Sequence, residues 1–246
     1  MYSLKLKSIL AALLLMVAGL QTAVAHKMIV TLNDNSKVTY SISQVKEVSF
    51  VESDEHEYVD LGLPSGTKWA TCNVGANSPE EYGDYFAWGE TAPKDYYDWS
   101  TYFDTDDNGN TFKKYNNNNG GLTELLPEDD AATANWGSGW QMPSFDQMKE
   151  LFNSSYTTSE WTQLNGVNGR KITSKSNGNS IFLPAAGYRY DTSLGGAGSS
   201  GYYWSRSLSA SNSVYAYSLF FGSDSVVWRY GSRGCGQGVR PVRVQE

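Results

Sequence analysis

Histidine and cysteine are nearly missing from this 246-residue chain, which has two of each. Two cysteines, Cys72 and Cys235, exclude a disulfide framework and leave room for at most one bridge in an oxidising compartment. Cys72 lies in the apolar run KWATCNVGA and reads equally well as a buried residue, while Cys235 lies in polar SRGCGQG. The histidines, His26 and His56, fall near the start of the chain and in a charged break. Neither stands where a domain would build a catalytic site. G-x-S-x-G, H-E-x-x-H and P-loop patterns are also missing. These gaps argue against acid–base and triad catalysis, so no catalytic residue is assigned. Basic residues are in deficit, 19 Lys and Arg against 26 Asp and Glu, for a net charge of -7. Nucleic acid is therefore not an expected partner, because phosphate binding needs a basic face. After residue 25 no apolar run is long enough to span a bilayer, and no transmembrane segment is expected.

Residues 1–25 read as a cleavable signal peptide. Lys5 and Lys7 form its positive end, ILAALLLMVAGL its apolar region, and Ala23-Val24-Ala25 its cleavage signal. The mature chain would begin at His26, and no cysteine follows that could carry a lipid. The expected location is secreted or at the cell surface.

Aromatics are what the chain has in abundance: 14% of residues, with 17 Tyr and 8 Trp. Such side chains suit binding surfaces and aromatic cores alike. Residues 26–52 read as a small β segment, with Met28, Val30 and Leu32, then Val38, Tyr40 and Ile42, alternating about a turn at Asn33–Ser36, and VKEVSFV as a third β-rich run. SDEHE (53–57) reads as a linker, and residues 58–246 as one domain. Ser78-Pro79-Glu80-Glu81 predicts a helix start, ended by Gly83. DYFAWGE predicts a buried aromatic strand. Residues 90–127 form a long, weakly patterned segment, of a kind usually functional or mobile. Ser144 with Gln147 is a capping box ahead of an apolar stripe at Met148, Leu151 and Phe152. GRKITSKSNGNSIFLPAAGYRY predicts a hairpin turning at Ser-Asn-Gly-Asn. Short strands follow to the end. The order predicts an α+β fold, with helices segregated from an antiparallel sheet.

The blocks VDLGLPSGTKWATCNVGA, YGDYFAWGE, DDAATANWGSGWQMPS, FLPAAGYR, GYYWS and GVRPVR resemble those of the Fibrobacter succinogenes major paralogous domain family, from Tyr58 to about Arg243. The resemblance implies a C-type-lectin-like domain with two helices and an antiparallel sheet. It also implies first and last strands side by side, Trp69, Trp88, Trp140 and Trp204 in the core, and Arg240-Pro241-Val242 as closing strand. The enzymes of the related formylglycine-generating branch need a reactive cysteine pair. Here the two cysteines are far apart in sequence, and an enzyme of that branch is only the third expectation.

The C-terminal stretch resembles the variable proteins of diversity-generating retroelements, which are C-type-lectin-like and carry a mutable segment before a fixed last strand. Replacing adenines in AAC or AAT codons cannot yield Lys, Glu, Gln, Met or Trp. Residues 206–238 contain no Lys, Glu or Met, and Trp228 and Gln237 would be fixed. The resemblance implies a diversified, adhesin-like binding surface for a protein or glycan ligand on another cell. Its candidate residues are Arg206, Ser207, Ser213, Tyr215, Tyr217 and Ser218. Phe220, Trp228, Arg229, Tyr230, Ser232 and Arg233 complete the set. In VYAYSLFF the family pattern places Ala216, Leu219 and Phe221 inward, which demands a bulge or irregular strand. The alternative reading is a structural surface or assembly protein, with residues 28–52 pairing with another subunit.

No cofactor is assigned. DTDDNG sets Asp104, Asp106 and Asn108 at alternate positions before Gly109, like the opening of a calcium loop, but Tyr115 stands where the bidentate Glu belongs. These three are the candidate metal ligands, against the plainer reading of a solvated turn. The sugar-coordinating motif of calcium-dependent lectins is missing.

Overall fold

The computed structural model describes residues 27–31, 37–41, 56–117 and 121–244. The expected signal peptide, the third β-rich run before residue 52 and residues 53–55 of the linker lie outside them. The chain divides into two compact units, residues 1–53 and 54–246, and each is described by itself.

In the first unit β1 (Lys27–Thr31) pairs antiparallel with β2 (Lys37–Ser41), from Lys27 opposite Ser41 to Thr31 opposite Lys37. Ile29, Val38 and Tyr40 are exposed on this hairpin. Two strands with apolar side chains in water have no core of their own.

The second unit is α+β, mostly sheet with two short α-helices among the described residues. No helix there is long and apolar enough to cross a membrane. β3 (Tyr58–Asp60), β4 (Lys68–Ala70), β14 (Val242–Arg243) and β5 (Trp140–Gln141) form one sheet in that order. The last strand is thus hydrogen-bonded to a strand near the start, Val242 facing Trp69. Arg240 anchors this closure from the interior: Nε donates to Asn73 Oδ1 at 2.9 Å and Nη1 to Thr71 O at 2.7 Å. Trp69, Trp88, Trp140 and Trp204 are all buried, as expected. Trp88 and Trp204 also satisfy their indole N–H groups, each on a carbonyl at 2.8 Å.

Helix α1 (Ala131–Trp136) starts at Asp130, whose carboxylate accepts from Ala132 N, Thr133 N and, across the fold, Met142 N. Helix α2 (Phe145–Leu151) carries the expected capping box, with Ser144 and Gln147 exchanging side-chain and backbone bonds. Met148 and Leu151 face the core.

The expected helix at Ser78 is absent. Glu81 N reaches Ser78 O in a single turn, and Gly83 at φ 72° then swings the chain so that Asp84 N bonds Val74 O. A Cβ at Gly83 would strike Val74 O at 2.4 Å, so this turn requires glycine. DYFAWGE is buried but is not a strand. Its backbone is held by a bridge, Phe86 to Gln237, by Trp88 N on Arg233 O and by Asp84 N on Val74 O.

β6 (Thr157–Leu164), β7 (Val167–Ser174) and β8 (Ser180–Pro184) form an antiparallel meander. The β7–β8 hairpin is the expected one. β6 was not expected, although Asn165 and Gly166, both at positive φ, mark its turn. After the small pair β9 (Tyr188–Tyr190) and β10 (Ser193–Gly195) comes a three-stranded sheet of β11 (Gly201–Leu208), β12 (Tyr215–Phe221) and β13 (Val226–Ser232).

Candidate ligand-binding surface

Pairing between β11 and β12 runs evenly from Gly201 opposite Phe221 to Trp204 opposite Ser218, then jumps to Leu208 opposite Ala216. Ser205, Arg206 and Ser207 therefore lie against Tyr217 alone. This is a bulge, and Ser205 makes it possible: its Oγ donates to Tyr217 O at 2.8 Å and accepts from Ser207 N at 3.2 Å, replacing a lost ladder bond. The irregularity expected in β12 is absent; the bulge lies in the neighbouring strand β11. β12 itself stays regular, and each of its faces carries buried residues. Leu219 and Phe221 enter one core cluster with Tyr203 and Met148, and Ala216 enters another with Trp204 and Leu208.

The bulge turns Arg206 and Ser207 towards Glu124. Ser207 Oγ donates to Glu124 Oε1 at 2.5 Å and accepts from Phe145 N at 3.0 Å. Arg206 Nε pairs with Glu124 Oε2 at 2.9 Å, and its Nη1 donates to Gln141 Oε1. Beside this cluster runs a groove of about 560 Å³, between Asn117, Thr123 and Glu124, the start of α2, Ser207, Leu208, Ala210 and Tyr217. A second groove of about 560 Å³ lies between Asn110–Asn117 and Ser211–Val214. The two share Asn117, whose N–H donates to Ser213 Oγ at 2.9 Å.

Aromatic rings form one wall. Phe145 and Tyr217 stack nearly parallel, with centroids 4.0 Å apart and 6° between planes. Tyr217 faces Tyr230 across the β12–β13 ladder, with centroids 5.3 Å apart. Trp228 meets Phe145 edge-on at 5.8 Å. Period-2 alternation puts Tyr215, Tyr217, Trp228, Tyr230 and Ser232 on this one face of the sheet. Tyr215 is 37% exposed and Tyr230 56%. Phe220 and Arg229 occupy the opposite face, with the guanidinium 4.0 Å from the Phe220 centroid.

Three expected surface residues are buried: Ser207, beside the groove, and Ser218 and Arg233 in the interior. Ser218 is buried between the strands. Arg233 is fully buried: it donates from Nε to Tyr102 Oη at 2.9 Å and from Nη1 to Tyr115 O and Ser213 O, and it pairs through Nη2 with Asp104. It lies just past the end of β13, where strand alternation no longer fixes a face.

The candidate metal ligands are not brought together. Asp104 turns inward to Arg233 and accepts from Lys114 N and Tyr115 N. Asp106 turns outward to Lys113 at 2.6 Å. Asn108 adopts φ 55° in a turn held by Asp107, which caps Asn110 N and Thr111 N. Among the described residues no three His, Cys, Asp or Glu side chains form a group able to hold a metal. Both cysteines are free, and burial pushes both thiols up, the opposite of an activated nucleophile.

Phe145, Glu124 and Asn117 were not among the expected site residues. Phe145 had a signal, since it stands three positions before Met148 and carries the apolar stripe to the first residue of α2. Glu124 and Asn117 come from the weakly patterned segment, which was expected as a whole to be functional or mobile, and no pattern singled either residue out. No family model matches this chain, and no curated protein or solved structure matches it either.

Proposed function

We propose that the chain is an exported, non-catalytic ligand-binding protein with a C-type-lectin-like domain, displaying its C-terminal sheet to a protein or glycan on another cell. The observation that carries this reading is the row Phe145–Tyr217–Tyr230 beside a polar groove. Rigid aromatic area lined by hydroxyl, amide and carboxylate groups is the chemistry of an adaptable binding face. The adjacency of first and last strands is compatible with the lectin-like reading. The scatter of Ser, Tyr and Arg through residues 206–238 supports diversification by a retroelement at the outward positions only.

The test is binding of the purified protein to glycan and cell-surface protein arrays, repeated with Tyr217→Ala and Tyr230→Ala. Central aromatic contacts are worth about 2 kcal/mol or more, so each variant should bind at least about tenfold more weakly. Unchanged binding by both would move the ligand surface elsewhere. DNA beside the locus provides an independent check: a near-copy of the segment for residues 206–238, differing at adenines and next to a reverse transcriptase gene, is expected if the segment is diversified.

One observation favours a second reading, an assembly protein. The β1–β2 hairpin exposes Ile29 and Tyr40, side chains suited to pairing with another chain. Self-association that requires residues 27–41 and ignores the C-terminal sheet would favour it.

A further inference from the structure

Three sequence blocks not used by that surface, YGDYF (82–86), PKDYY (93–97) and GYRY (187–190), meet at a separate cleft of about 330 Å³. Asp84, Tyr85, Lys94, Asp95, Tyr97 and Arg189 line it. Its walls are fixed. Tyr97 donates to Tyr85 O at 2.6 Å and accepts from Lys94 N at 3.0 Å, and Tyr85 donates to Ala186 O. The backbone of Arg189 is clamped to Gly236 in both directions, at 2.7 and 2.9 Å.

The charged groups of this cleft are not matched to one another. Lys94 is neutralised by Glu90 at 2.8 Å. The half-buried Arg189 guanidinium lies over the Tyr85 ring, 5.2 Å from its centroid. Among the described residues its N–H groups have no hydrogen-bond or ion-pair partner, and neither do the carboxylates of Asp84 and Asp95. Tyr85 covers one side of the guanidinium while its donor fork stays open. Such a fork matches a carboxylate or a phosphate. Two uncompensated carboxylates on the same cleft disfavour a phosphate dianion and favour a ligand that also carries a cation. The volume is at the small end of the roughly 300–1,000 Å³ typical of ligand pockets.

We infer that this cleft binds a small zwitterion of amino-acid to dipeptide size, its carboxylate on Arg189 and its ammonium at Asp84 and Asp95. The site is independent of the aromatic surface and does not depend on the reading given for it.

The test is a thermal-shift screen of the full chain against the L-amino acids and glycyl dipeptides, with calorimetric titration of the best binder and of its N-acetyl and C-amide forms. A dose-dependent rise in Tm is expected, and capping either end of the ligand should weaken binding at least about tenfold, the loss of one charge-assisted contact. Arg189→Gln should do the same, and Arg189→Lys should not restore affinity, because a point charge lacks the fork. A screen without binders overturns the proposal. So does an N-acetyl form that binds as tightly as the free amine, or a binder indifferent to Arg189→Gln. The capped ligands test the site on the unaltered protein, so a variant that fails to fold leaves the answer intact.

Discussion

Arg233 and Asp104, 129 positions apart, form an ion pair sealed inside the domain. The guanidinium is also boxed by aromatic rings, 4.8 Å from the Trp88 centroid and 4.3 Å from that of Phe112. It ties the long segment after residue 90 to the turn that follows β13, and so holds the wall of the second groove. Removing one partner of a buried pair leaves an uncompensated charge, at a cost of about 3–5 kcal/mol. Asp104→Ala should therefore lower the stability read by urea denaturation by about that amount. A loss of under about 1 kcal/mol would mean that water reaches Arg233 and that the pair is not sealed.

The same pair predicts the response to calcium. Asp104 is committed to Arg233 and to two backbone N–H groups, and Asp106 points away from it to Lys113. A ligand that binds only the folded state raises Tm with its concentration. Millimolar calcium and excess chelator should give superimposable melting curves. A calcium-dependent rise of several degrees would place a cation site elsewhere on the chain.

What the sequence made legible was local. The capping box at Ser144 and Gln147 depends on residues three apart, and the structure has it. The β7–β8 hairpin was equally readable, whereas the burial of the four tryptophans was expected only from the family resemblance. The missed strand β6 had its signal in Asn165-Gly166. Ser78-Pro79-Glu80-Glu81 misled because a helix start and a single turn share the same capping chemistry, and Gly83 with Val74 decided between them. Arg229 and Arg233 show where local reading stops. Both are arginines in a Ser- and Gly-rich stretch, yet one stacks on Phe220 in water and the other is fully buried. The difference is made by Asp104, which no local pattern connects to Arg233. The groove has the same limit, since Glu124, Phe145 and Ser207 meet only through the bulge in β11.

The C-terminal sheet should tolerate substitution on one pattern only. A Cβ at Gly231 would lie 2.5 Å from Trp204, which is fully buried and held by its indole bond to Phe86 O. Gly231→Ala must therefore overpack a rigid site, at about 1–3 kcal/mol. Tyr230→Ser, one residue away on the open face, should change stability by less, since it removes a ring that is more than half exposed. Chemical denaturation of the two variants checks the contrast. If a variable set of this protein is found, Gly231, Ser218 and Arg233 should be constant in it, while Tyr215, Arg229 and Tyr230 are free to vary.

Asp130 sets the acid-side behaviour. Burial raises the pKa of its carboxyl, outweighing the lowering by hydrogen bonds from Thr133 N, Met142 N and Ala132 N. A raised folded-state pKa means that the folded protein binds the proton more tightly than the unfolded chain does. The stability this group contributes is then fully present below the unfolded pKa and is lost as pH rises through the folded one. Asp130→Asn has no proton to bind and lacks this pH-dependent contribution, although it also disturbs the caps of α1. The stability difference between wild type and Asp130→Asn should thus favour wild type most at the acid end. It should shrink as pH climbs above the ordinary aspartate range, then level off near neutrality. Urea midpoints of both proteins across that range measure it. A difference that grows with pH would mean that the N–H groups around Asp130 outweigh its burial and hold the carboxylate ionised.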